Sequence, residues 1–149
     1  MVNAADIVVM NPPYVRQESI DPSRKKYYID TYKFDKKSDI YVYFFQRALR
    51  LLNPHGIVSA ITSDKWLETS YGIKLQGHLK SRLISVYGQR NRSFEADVNT
   101  VITVYSNEMQ QGPVDFVYLE SYGSKSVRRK ISMERPGLKP GKWFYLRAP

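Results

Sequence analysis

Asp6-Ile-Val-Val-Met10 is a short β-branched apolar run that stops at Asn11-Pro12-Pro13. Such a run reads as a buried parallel strand whose C-terminal end opens into a loop. In open α/β sheets, functional loops lie at that end. Val15 to Lys37 is polar, tyrosine-rich and mixed in charge, with no clear period, so a long and partly helical excursion is expected there. Ser38 or Asp39 stands where it can cap a helix running through Tyr43, Phe44, Arg47, Ala48 and Leu51. Leu49 and Leu52 widen its apolar face, and Asn53-Pro54-His55-Gly56 stops it. Ile57 to Ile61 predicts the next strand, with Thr62 to Leu67 at its exit, which makes half of a βαβ unit. Tyr71 to Ser81 suggests a shorter helix. Leu83 to Tyr87, Asn99 to Tyr105 and Val114 to Leu119 read as strands. The alternation predicts an α/β fold. A basic segment with Pro136-Gly137 and Pro140-Gly141 turns follows, and reads as a linker or the start of another unit.

Composition narrows the class. At 149 residues the chain is one ordinary domain's worth, and 42% hydrophobic with 13% aromatic residues is the make-up of a folded protein. It has no cysteine, which excludes disulfides and thiolate metal sites, and two scattered histidines do not suggest a zinc centre. No apolar stretch approaches the roughly 20 residues that span a bilayer, and no signal pattern opens the chain. A metal-independent intracellular protein is expected. The formal charge of +9 points to a polyanionic partner or a soluble surface. From Ser121 onward there are eight basic residues against Glu134 alone, among them Arg128, Arg129 and Lys130, so the positive field gathers at the C-terminal end. As an isolated charge run this would be a solvated face. His55 and His78 read as structural or exposed, Trp66 as core, and Asp39 as a helix N-cap.

The chemistry that suits Asn11-Pro12-Pro13-Tyr14 is that of a nucleobase amino group. Its lone pair is delocalised into the ring and needs to be held in better geometry before it can attack. The Asn11 side-chain oxygen and the Pro12 carbonyl can each accept one amino hydrogen and turn the lone pair toward an electrophilic methyl group. Pro12 makes its carbonyl rigid, and Pro13 restricts Pro12 toward extended geometry. A base inside a duplex must be extruded at a cost of a few kcal/mol. Tyr14 is placed as the stacking platform, worth on the order of 1–3 kcal/mol.

The run Asp6 to Glu18 resembles the catalytic motif of N6-adenine DNA methyltransferases, in particular those of the large single-chain type II restriction-modification enzymes. Ser38 to Phe45, Gly56 to Ile61, Lys65-Trp66-Leu67, Tyr71-Gly72 and Ser93 to Ala96 follow that family in order and spacing, over about two thirds of the chain. The resemblance implies a Rossmann-like methyltransferase fold and a methyl group transferred from S-adenosylmethionine to the amino group of a flipped adenine. It also implies double-stranded DNA as partner and a cytoplasmic, prokaryotic setting. Asn11, Pro12 and Tyr14 then take the catalytic positions, while Pro13 and Phe94 contact the base, Phe94 completing the sandwich. With the motif present, Arg128, Arg129 and Lys130 are expected on DNA phosphates.

In that family a glycine-rich loop and an acidic residue bind the donor, and both precede the motif. Only five residues precede Asp6 here. The chain is therefore expected to be a fragment that carries the C-terminal half of the sheet in residues 1–110 and a basic extension or linker toward a DNA-recognition region in 111–149. The donor site would lie largely outside it. A strand Asp6 to Met10 without its neighbour would expose an apolar edge and self-associate through Ile7, Val8 and Val9, or be covered by another part of the chain. Two other functions share the motif or the fold. One is methylation of a glutamine amide in protein or of an RNA amino group. The other is a DNA-binding module that has lost catalysis.

Overall fold

The computed structural model describes residues 4–89, 99–122, 124–141 and 143. The first apolar run forms strand β1 (Ala5–Met10). After a 3-10 turn at Gln17–Ser19 comes helix α1 (Pro22–Tyr32), in the stretch where only a partly helical excursion is expected. Its start follows from local chemistry. The Asp21 carboxylate accepts from the Ser23 and Arg24 backbone N–H groups at 3.1 and 3.2 Å, and Pro22 holds the first helical position. Lys33, at φ 60°, ends it in left-handed geometry.

Helix α2 (Tyr41–Leu51) buries Tyr41, Val42, Tyr43, Phe45, Ala48 and Leu49. Of the face expected from the spacing, Tyr43, Ala48 and Leu49 are buried, whereas Phe44 is exposed and Phe45, one position on, takes its place in the core. The helix begins one or two residues later than expected. Ile40 holds the N-cap position without a side-chain bond, so neither Ser38 nor Asp39 caps it. Asp39 serves the loop after β1 instead, as its geometry below shows. Nor does Asn53-Pro54-His55-Gly56 stop the helix: β2 (Leu52–Ser63) follows directly, and those four residues lie within it. β1 and β2 run parallel with α2 between them, which completes the βαβ unit.

A 3-10 turn at Asp64–Leu67 leads to α3 (Gly72–Leu79), then to β3 (Leu83–Gln89) and β4 (Thr100–Ser106). Beyond residue 110, where an extension or linker is expected, β5 (Val114–Tyr122) and β6 (Lys125–Met133) continue the same sheet. Leu138 and Trp143 are buried in the same core. The strand order is β1-β2-β4-β3-β5-β6, which puts β1 at one edge and β6 at the other.

Alternate residues of β2, β3, β4 and β5 face the core, among them Val58, Ala60, Val101, Tyr105, Val86 and Phe116. Phe45 of α2 stacks on Tyr105 at 5.5 Å, and Trp66 meets Phe45 and Trp143 edge-on at 5.8 and 5.9 Å. Trp66 is thus a core residue, as expected. The opposite face of the sheet leaves Ile7, Val9, Ile57, Ile102 and Tyr87 exposed.

Candidate functional site

Because β1 and β2 are parallel and pair Met10 with Ala60, their C-terminal ends leave the sheet side by side. This is where α/β sheets hold ligands. Asn11-Pro12-Pro13-Tyr14 leaves β1, and Ser63-Asp64-Lys65 leaves β2. Pro12 is buried and Asn11 and Pro13 are exposed. No described residue bonds the Asn11 side chain, so its oxygen can accept from a ligand. Tyr14 is 46% exposed, which leaves ring surface for a partner, and partial burial pushes its phenol pKa up. Tyr14, Arg16, Asp39, Tyr41, Ser63 and Lys65 line an open pocket between the two strand exits.

The loop is anchored from the direction of α2. The Ile40 N–H donates to the Val15 carbonyl at 3.0 Å, and the Gln17 N–H donates to Asp39 Oδ1 at 3.0 Å. The Tyr71 hydroxyl donates to Asp39 Oδ2 at 3.3 Å and lies 2.8 Å from the Tyr41 hydroxyl. Desolvation raises both phenols, Tyr41 far above the usual range and Tyr71 up to about 12, so both keep their protons at neutral pH. The Ser63 hydroxyl accepts from the Lys65 N–H at 3.3 Å and caps the turn beyond β2.

Of the residues expected at the site, Asn11, Pro12, Pro13 and Tyr14 stand together. Phe94 lies outside the described residues. Arg128, Arg129 and Lys130 sit on β6, five strand positions from β1, roughly 24 Å away at 4.8 Å per strand. They do not share a face. The register pairs them in turn with Leu119, Tyr118 and Val117, so Arg128 and Lys130 point one way and Arg129 the other. Lys130 is also ion-paired to Asp115 at 2.8 Å. Arg16, Asp39, Lys65 and Tyr71 lie in segments that follow the resembled family, but nothing local in the sequence marks them as neighbours of the motif. His55 is exposed and meets Glu108 at 3.0 Å, while His78 is half-buried against Phe34.

Among the described residues no cluster of histidine and acidic side chains could hold a metal, and no helix is long and apolar enough to cross a membrane. A nucleotide-like donor rests on a glycine-rich turn at a strand exit. Gly56 instead faces Leu52 and Gly72 the Trp66 backbone, while Gly77 lies within α3 and Gly112 and Gly141 are single glycines at no exit of β1 or β2, so none of these belongs to such a turn. Among the glycines with described surroundings, none therefore forms a glycine-rich cradle of the kind that would hold S-adenosylmethionine.

Residues 3–91 match the family described as Eco57I restriction-modification methylase. The type II methyltransferase M.BstVI of Geobacillus stearothermophilus is 36% identical over 129 residues, covering 80% of this chain and 23% of that protein. M.PaeR7I of Pseudomonas aeruginosa is 34% identical over 136 residues, covering 89% and 22%. The chain thus spans under a quarter of the length of these relatives. Among solved structures, the type IIG restriction endonuclease BpuSI superposes with a TM-score of 0.65 at 18% identity, over 93% of this chain and 20% of that one. A putative class I S-adenosylmethionine-dependent methyltransferase from Listeria monocytogenes gives 0.57 at 16% identity, over 71% and 32%. At such identities the likeness is one of fold, and it bears out the Rossmann-like methyltransferase fold.

Proposed function

We infer the function from one premise: the chain belongs to the Eco57I restriction-modification methylase family. It is the acceptor side of a DNA methyltransferase in a restriction-modification system, and its target is the exocyclic amino group of an adenine flipped out of the duplex. One observation carries the reading. Asn11-Pro12-Pro13-Tyr14 leaves β1 beside the parallel exit of β2, with the Asn11 amide exposed and the Tyr14 ring half-exposed above a pocket.

The Asn11 Oδ1 and the Pro12 carbonyl each accept one amino hydrogen of the base. Neither acceptor ionises, so the lone pair is oriented without a titrating group. Tyr14 stacks on the extruded ring and offsets part of the extrusion energy, with Pro13 beneath it and Phe94 closing the other face. S-adenosylmethionine supplies the electrophilic methyl group. The amino proton leaves to solvent, which needs no dedicated base. Of the basic triplet Arg128, Arg129 and Lys130, those on one face of β6 add contacts to DNA phosphates.

The full-length protein expressed in a host without endogenous adenine methylation tests this. Single-molecule sequencing of the host genome should find N6-methyladenine at one recurring sequence. Asn11→Ala should remove it, while duplex affinity stays within about threefold, since phosphate contacts dominate binding. Methylated glutamine in host protein with unmodified DNA would replace adenine by an amide substrate. Unmodified DNA and protein would leave a binding module.

A further inference from the structure

The Asn-Pro-Pro-Tyr loop owes its position to residues elsewhere in the chain. From Asn11 to Arg16 the backbone is in neither helix nor strand. Beyond Pro12, its described tethers are the Ile40 N–H on the Val15 carbonyl and the Gln17 N–H on Asp39 Oδ1, both 3.0 Å. Behind Asp39 runs a chain of hydroxyls. Tyr71 donates to Asp39 Oδ2, Tyr41 and Tyr71 meet at 2.8 Å, and Ser63 bonds the Tyr41 phenol. A carboxylate can only accept, so the chain has one direction: Ser63 to Tyr41, Tyr41 to Tyr71, Tyr71 to Asp39. Tyr41 and Tyr71 are buried, which favours such bonds over solvation.

We propose that Asp39 is a positioning residue of the acceptor site, whose carboxylate couples the loop bearing Asn11 and Tyr14 to the hydroxyl chain that ends at Ser63 beside β2. It touches no reacting atom. It fixes where Tyr14 stands relative to the exit of β2, and therefore where a stacked base presents its amino group. The proposal rests on the function proposed above.

The test uses the full-length protein, a duplex carrying the site found by genome sequencing, and 2-aminopurine at the target base to report extrusion. Asp39→Leu removes both acceptors, and displacing a bound group by about 1 Å lowers kcat by on the order of 100-fold. KM for DNA should stay within about threefold, because phosphate contacts set affinity, and 2-aminopurine emission should change. Asp39→Asn should restore most of kcat, since its amide oxygen can still accept from Gln17. Gln17→Pro deletes the donor N–H on the loop side, and the side-chain oxygen that accepts from Lys25 is lost in it and in a Gln17→Ala control alike. Arg16 already has the extended geometry, φ −66° and ψ 150°, that precedes a proline. Gln17→Pro should lower kcat about tenfold against a Gln17→Ala control. Thermal melting shows which variants are folded. If folded Asp39→Leu or Gln17→Pro turns over at the wild-type rate, or loses only KM, the positioning role is overturned. If Asn11→Ala also methylates at the wild-type rate, the proposed function itself has failed. An inactive Asn11→Ala beside a fully active Asp39→Leu sinks this inference alone.

Discussion

Gly72 marks a backbone crossing that admits no side chain. A Cβ there would lie 2.0 Å from the Trp66 carbonyl oxygen, and the obstacle is main chain, which cannot rotate aside. Gly72→Ala should therefore push α3 off the Asp64–Leu67 turn and cost about 2–3 kcal/mol, seen as a fall in Tm. Gly77 has nothing within 4 Å of the same added atom. Gly77→Ala should raise Tm, by up to about 1 kcal/mol of helix propensity. Tyr71 supplies a pH prediction. Its phenol is raised from 10.0 to about 12, chiefly by burial, with the nearby Asp39 charge adding to it. The native state then holds a proton that the unfolded state loses first. This stability is complete below pH 10 and is lost as pH rises toward 12. Urea midpoints should fall across that window, and less steeply in Tyr71→Phe. At this scale the motif was legible because Asn11, Pro12 and Tyr14 are consecutive and their chemistry is local. Asp39 was not, because its partners Gln17 and Tyr71 lie 22 and 32 positions away, and no spacing rule reaches that far.

Strands with one buried face announced themselves: β3, β4 and β5 were expected nearly where they stand, and β2 over Ile57 to Ile61, although it begins five residues earlier at Leu52. Strand β6 was not, because an edge strand exposed on both faces loses the apolar alternation that marks the others. Its residues are exposed up to Met133, and what makes it a strand is its antiparallel pairing with β5 over nine positions, a property of two segments together. The pairing also changes what the basic triplet can do. A duplex lying against one face of β6 meets Arg128 and Lys130 or it meets Arg129, but not all three. Replacing Arg128, Arg129 and Lys130 together should lower the slope of log affinity against log salt by about two contacts' worth, near 1.8, instead of three. Replacing Arg128 and Lys130 should account for nearly all of that. Fluorescence anisotropy with the full-length protein between low and moderate salt reads the difference, and an unchanged slope returns β6 to a solvated edge. Helix α1 was missed for a related reason. It buries no residue fully, so it has no apolar stripe, although Asp21-Pro22 already encodes its beginning.

At the scale of the molecule, the sheet is covered on one face and open on the other. Ile7 and Val9 are 69% and 78% exposed, and the register sets Ile7 beside Ile57 and Tyr87 beside Ile102, so apolar side chains continue across four strands. Contiguous surfaces of this kind recruit partners. The expectation drawn from the sequence concerned the edge of β1 alone; the structure adds the adjoining face. The chain should self-associate at micromolar concentration, and Val9→Lys, at the most exposed position of the patch, should shift it toward monomer in sedimentation velocity. Monomeric sedimentation of the unaltered chain at high concentration would remove the idea. The rim opposite the site has a use of its own. Between Leu52 and Ile57, β2 spends three residues more than its neighbour needs to pass from Ala5 to Ile7. The surplus is stapled, with Asn107 bonding the Leu52, Asn53 and Gly56 carbonyls, yet Pro54 and His55 remain exposed. From Ile57 to Ser63 is six residues, about 20 Å of strand. A tether inserted between Pro54 and His55 would hold the protein on a sensor chip with its pocket turned toward the solution.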